Sequence, residues 1–143
     1  IVSILSDCIV HSQQTVISGA ITLTHYASRV HVGLPYTFYF ETLNIDFQMK
    51  DGTIQGRKKA VRNVKIRLEE STGGYVGINN ADNLEQIEYD LSTVWGKPAD
   101  LFTGDKQCSP YCDYDTDARI YIRQSDPLPI TVLAIMGDVE FGG

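Results

Sequence analysis

Asp113, Asp115 and Asp117 stand at alternate positions, the spacing at which a calcium loop presents its first carboxylates. Such a loop also needs glycine at its sixth position and a bidentate glutamate at its twelfth. Ala118 and Gln124 hold those positions, so the simpler reading is a polar turn leading into a strand. Just upstream, Cys108 and Cys112 frame Ser109-Pro110-Tyr111. Oxidised, they would close a small loop; reduced, they would supply half of a zinc site. No second close cysteine pair completes a tetrahedral set, and His11, His25 and His31 are scattered far from them along the chain. With Cys8 the count is three. An odd number with one close pair is no disulfide framework, which points to reduced thiols in a protein made in cytoplasm.

The constellations of covalent and hydride chemistry do not occur. There is no GxSxG elbow, no HExxH, no phosphate-binding loop and no dinucleotide fingerprint. Glu69 and Glu70 are neighbours, so on a strand they point to opposite faces and do not converge on one bond. A carboxylate pair assembled only by folding, as in glycoside hydrolases, leaves no mark in a sequence. The expectation is therefore a protein without a catalytic residue, a resident metal or a cofactor.

Charge is the next candidate chemistry. Lys50, Arg57, Lys58, Lys59, Arg62, Lys65 and Arg67 fall together with only Asp51 against them, in a chain of net charge −6. After Leu68 the balance reverses, through Glu69, Glu70, Asp82, Glu85, Glu88 and Asp90 to the Asp113–Asp117 cluster. Such an asymmetry suits head-to-tail contact between copies or docking of a partner, and it also suits plain solvated strand faces. Lysines and arginines can contact DNA phosphates, but no aromatic residues interleave with these for base stacking. The favoured expectation is a protein interface through Arg57, Lys58, Lys59, Arg62, Lys65 and Arg67. A second candidate is a ligand loop carrying Trp95, Tyr111 and Tyr114, since exposed aromatics on β-sandwich loops can bind sugar faces.

The elements that must position these residues read as strands throughout. Ile1–Val10 and Thr15–Thr24 are rich in β-branched residues, the latter with Ser18-Gly19 as a turn or bulge. In Arg29–Leu43, Val30 and Val32 share one face and Pro35 breaks the run. Tyr36, Phe38 and Phe40 then continue at period two, with Tyr39 on the other face. Ile45–Met49 leads to a turn at Asp51-Gly52. Arg57–Arg62 could begin a helix, but Val64, Ile66 and Leu68 alternate with Lys65 and Arg67, the period of a strand with one wet face from about Val61. Tyr75–Asn79, Leu84–Leu91, Ala118–Arg123 and Ile130–Phe141 complete the strands, with Thr93–Pro110 as loop. The fold class expected is all-β, an antiparallel β-sandwich or small barrel with long loops, and residues 1–143 read as a single β-rich module. A chain of this length can bury a core without disulfide staples. The first residue is Ile1, with a strand-like run directly behind it, which reads as a fragment of a longer protein. No stretch has the unbroken apolar length of a membrane span.

Five segments occur in a telling order. They are VHVGLPY at Val30–Tyr36 with Glu41–Leu43, TIQGRKKAVRNVKIRL at Thr53–Leu68, LFTGDK at Leu101–Lys106, and DYDTDARIYIRQSDPLPITVLAI at Asp113–Ile135. Each is weak alone. As an ordered set, covering about Val16 to Glu140, they resemble the C-terminal region of the tail nozzle proteins of short-tailed phages, also called tail tubular protein B. The resemblance implies a structural virion component found in the tail. It implies assembly with other copies as a ring, a hexamer in the full-length protein, which continues the tail channel for DNA ejection. The partners it implies are a tail adaptor protein and tail fibres or spikes. DNA would pass without sequence-specific binding, and the module would not insert into a membrane. The alternative from a different class is a β-sandwich carbohydrate-binding module for host-surface glycans.

Overall fold

The computed structural model describes residues 1–50, 52–89 and 100–142. Every regular element among them is a strand: β1 (Val2–Ser6), β2 (Ile9–Gln14), β3 (Val30–Gly33), β4 (Phe38–Glu41), β5 (Gln48–Met49), β6 (Gly52–Thr53), β7 (Lys59–Ser71), β8 (Tyr75–Ile78), β9 (Leu84–Gln86), β10 (Phe102–Cys108), β11 (Ile120–Gln124) and β12 (Val132–Phe141). All pairings are antiparallel. The main sheets run β2-β1-β3, β10-β7-β12 and β4-β11-β8-β9, with β5-β6 as a separate hairpin. Among the described residues no barrel closes, so of the two expected architectures the sandwich is the one consistent with the fold.

The core lies between the β10-β7-β12 and β4-β11-β8-β9 sheets. Val64, Ile66 and Leu68 of β7 meet Val76 and Ile78 of β8 and Ile120 and Ile122 of β11, joined by Ile87, Ala118 and Cys108. Each fully buried Ile, Leu or Val contributes about 1.5–3 kcal/mol of transfer free energy. β7 is the organising strand because both of its neighbours in the sheet pair with it. Its buried positions are Lys59, Ala60, Val61, Val64, Ile66, Leu68 and Ser71. A regular strand sends alternate residues to one face, so the two three-residue steps each need an extra residue. The register supplies them. The pairing with β12 slips at Arg62, between Val61 and Asn63. The pairing with β10 slips between Leu68 and Ser71, where Glu70 takes φ 42°.

Several expectations shift. The Ile1–Val10 run is a hairpin, reversed at Asp7 (φ 46°) and Cys8 (φ 67°) between β1 and β2. Those left-handed values are what a two-residue primed turn requires. Thr15–Thr24 holds only the bridge Ile17↔Ala20, closed around Ser18 and Gly19. Phe102–Cys108, expected as loop, is the edge strand β10. Gly52 opens the return strand of its hairpin, paired with Met49, rather than forming the turn. At the start of β8, Gly73 (φ 71°) and Gly74 (φ 95°) make the reversal from β7.

Candidate functional site

The basic segment does not form a basic face. Arg67 makes a paired contact with Asp105 across β7–β10, at 2.7 and 2.9 Å. Arg62, held in the β7 bulge, donates to Glu140 at 2.8 Å and stacks 5.0 Å over the Tyr114 ring. These guanidinium groups hold the Asp105 and Glu140 carboxyls below the usual carboxylate range. Lys59 has left the surface altogether. It is fully buried, and its Nζ donates to Ile45 O at 3.0 Å and Asp46 Oδ1 at 2.5 Å. Lys59 is thus corrected from an interface residue to an internal tie between β7 and the segment before β5. A buried ammonium persists only when paired and hydrogen-bonded, and this one is both. Arg57, Lys58 and Lys65 remain exposed. The charge asymmetry of the sequence is largely cancelled between adjacent strands, which one-dimensional reading does not reveal.

A wide apolar opening lies elsewhere. β4 and β12 are edge strands of the two facing sheets. Register places Phe38 opposite Gln124 and Phe40 opposite Ile122, so both rings point to the face that carries the core. Yet Phe38 and Phe40 are 42% and 43% exposed. They line a groove of about 430 Å³ with Ile122, Ile130, Val132 and Ile135. The sandwich is unzipped along this side. Sequence reading gave Phe38 and Phe40 only as period-two strand positions, and not as site residues.

On the outer face of the same sheet, Glu41 collects donors. Arg119 Nη1 reaches it at 2.8 Å and Tyr39 OH at 3.0 Å. Arg119 first, then Tyr121 and Tyr39, lower the Glu41 carboxyl, and Glu41 in turn raises the Tyr39 phenol. Tyr39 and Tyr121 lie with ring centroids 5.9 Å apart.

The loop candidates divide. Trp95 lies outside the described residues. Tyr111 and Tyr114 do come together, lining a groove of about 230 Å³ with Asn80, Asn83 and Asp113. The facing Asn79–Asn83 loop is brought there by β8–β11 pairing. Asn79, at φ 55°, fastens it: its Nδ2 donates to Asp117 O at 2.6 Å and its Oδ1 accepts Arg119 N–H at 2.8 Å. Gly77 lets the loop close, since a Cβ there would meet Leu84 Cδ2 at 2.5 Å and Asn83 O at 2.8 Å. The only advance signal for this loop was its polarity.

The aspartates of this region serve the fold. Asp115 exchanges backbone hydrogen bonds with Lys59, and its Oδ1 accepts Thr116 N–H at 2.7 Å. Asp117 Oδ1 accepts from Asn44 Nδ2 at 3.4 Å. Among the described residues no group of three or more His, Cys, Asp or Glu is placed to hold a metal ion. Cys108 and Cys112 are buried free thiols, and burial raises the Cys108 thiol. Cys8 is exposed in the first hairpin turn. A scan against protein-family models finds no match for this chain, and a comparison with curated proteins finds none either.

Proposed function

We propose that this chain is an architectural module of a phage tail nozzle. In this reading, copies of the longer protein containing it form a ring, a hexamer, that continues the tail channel through which DNA leaves the virion. The ring meets a tail adaptor protein above and carries tail fibres or spikes. The protein is made in the host cytoplasm and resides in the tail.

The observation that supports assembly most directly is the open side of the sandwich. Phe38 and Phe40 expose close to half their surface beside two strand edges that have no further neighbour among the described residues. Exposed apolar grooves and free edges of this kind mark contact surfaces. The basic segment supports a passive relation to DNA. With Lys59 buried and Arg62 and Arg67 paired to carboxylates, Arg57, Lys58 and Lys65 make a thin phosphate grip, compatible with a strand that must slide. The ordered motifs from Val30 to Ile135 supply the family assignment within this reading.

The test is mass in solution by light scattering, for this chain and for the longer protein, with and without an adaptor. A ring-sized longer protein that Phe40→Asp reduces to monomers supports the proposal. A longer protein that stays monomeric in both conditions overturns it.

A further inference from the structure

We propose that the groove between the Asn79–Asn83 loop and the Tyr111–Asp115 segment is a binding site for a neutral saccharide. The inference is independent of the assembly reading. It rests on four side chains with distinct tasks. Tyr111 is 71% exposed, so its ring offers an open apolar platform. Its hydroxyl donates to Asp113 Oδ1 at 2.8 Å, which pins the ring without covering its face. Asn80 spends only Oδ1, on the Asp82 N–H at 2.8 Å, leaving its amide donors for a ligand. Asn83 lines the same groove and its side-chain amide makes no hydrogen bond within the described residues.

These groups match the chemistry of a pyranose ring. One face of such a ring is a patch of C–H groups, which packs on an aromatic face. Its rim carries adjacent hydroxyls, each both donor and acceptor, which a planar amide can meet in both roles and a carboxylate as acceptor. The size agrees. At about 230 Å³ the groove is below the range of roughly 300–1,000 Å³ for drug-sized ligands and suits one small ring. The charge agrees as well. The lining includes Asp113 and Asp115 and no cationic side chain, which disfavours phosphorylated, sulfated or sialylated ligands. The floor is firm, because Tyr114 is held between Arg62, 5.0 Å over its ring, and Glu140, at 3.3 Å from its hydroxyl.

The experiment is a glycan array probed with the whole 143-residue chain, carrying neutral oligosaccharides of glucose, galactose, mannose and N-acetylglucosamine beside sulfated and sialylated ones. The best neutral binder is then titrated calorimetrically against the parent chain and four variants. Asn83→Ala is expected to weaken binding about three- to tenfold, the worth of one or two net hydrogen bonds. Tyr111→Ala is expected to weaken it about tenfold. Tyr111→Phe keeps the platform and should stay within about threefold. Glu69→Ala, exposed on β7 in a different sheet, should leave affinity unchanged. Circular dichroism checks that each variant is folded, as expected for exposed positions. Retention of no neutral glycan, retention of anionic glycans alone, or unchanged affinity in both Tyr111→Ala and Asn83→Ala overturns the site. None of these outcomes bears on the ring-mass measurement, so the two readings fail separately.

Discussion

Where β9 and β10 edge the sandwich, Tyr89 meets Phe102 with ring centroids 5.7 Å apart at 62°, and Lys106 brings its ammonium 5.0 Å over the Phe102 ring. Where β4 and β12 edge it, Phe38 and Phe40 look out into a groove of about 430 Å³. Both sides start from the same material, an edge strand with aromatic residues on its inner face. On the first side the rings close on each other, and register opposite Ile66 turns Lys106 inward, a device that blunts an edge. On the second side, among the described residues, Phe38 and Phe40 make no such ring or cation contact. In the proposed ring, this open side is the one left for contact with another chain.

That contrast can be broken or sharpened by mutation. The largest effect is expected where both sides share a support. Asp46→Ala strands the fully buried Lys59 ammonium at the end of β7, which should cost about 3 kcal/mol in urea unfolding. A loss under about 1 kcal/mol would mean that water reaches Lys59 readily and that the tie is not structural. On the closed side, Phe102→Ala should cost about 2 kcal/mol, less than for a wholly buried ring because Phe102 is partly exposed. On the open side, Phe40→Ser should cost about 1 kcal/mol or less in this chain. Its penalty should appear instead as weaker association of the longer protein. Equal losses at Phe102 and Phe40 would erase the distinction.

The smallest effect is expected from pH. Burial pushes the Tyr89 phenol up to about 12 from its ordinary 10.0. The unfolded chain therefore releases this proton first, so the contribution of Tyr89 is complete below pH 10 and fades between pH 10 and 12. Stability measured across that window should fall less steeply in Tyr89→Phe than in the parent. At the acid end, the lowered Glu41, Asp105 and Glu140 carboxyls should release their stabilisation as pH falls below the normal carboxylate range. Asp105 and Glu140 are exposed and Glu41 is partly so, so added salt should blunt the acid effect and leave the alkaline one.

Period two carried most of the fold that could be read in advance. Val64, Ile66 and Leu68 announced β7, and Ile120 and Ile122 announced β11, because each alternates with polar residues on a half-buried sheet. β10 was silent for the same reason. Its inner positions include Gly104 and Lys106, so no apolar alternation survives. The first hairpin was hidden by Asp7-Cys8, a pair that lacks the glycine expected of a primed turn. Sites were harder to read than strands. Tyr111 and Tyr114 were legible as a loop pair, but Asn80 and Asn83 join them only through β8–β11 pairing. The burial of Lys59 depends on Asp46, placed beside it by folding, and the exposure of Phe40 depends on strand order, which hydrophobicity does not encode.

β7 runs for 13 residues and is hydrogen-bonded to β12 along most of that length and to β10 over its second half. A pull along its axis would load those bonds side by side, so that many must yield together rather than in succession. The same strand peeled from one end would open one bond at a time. This gives the molecule a stiff direction and a soft one, and the bulges at Arg62 and Glu70 mark where the stiff section ends.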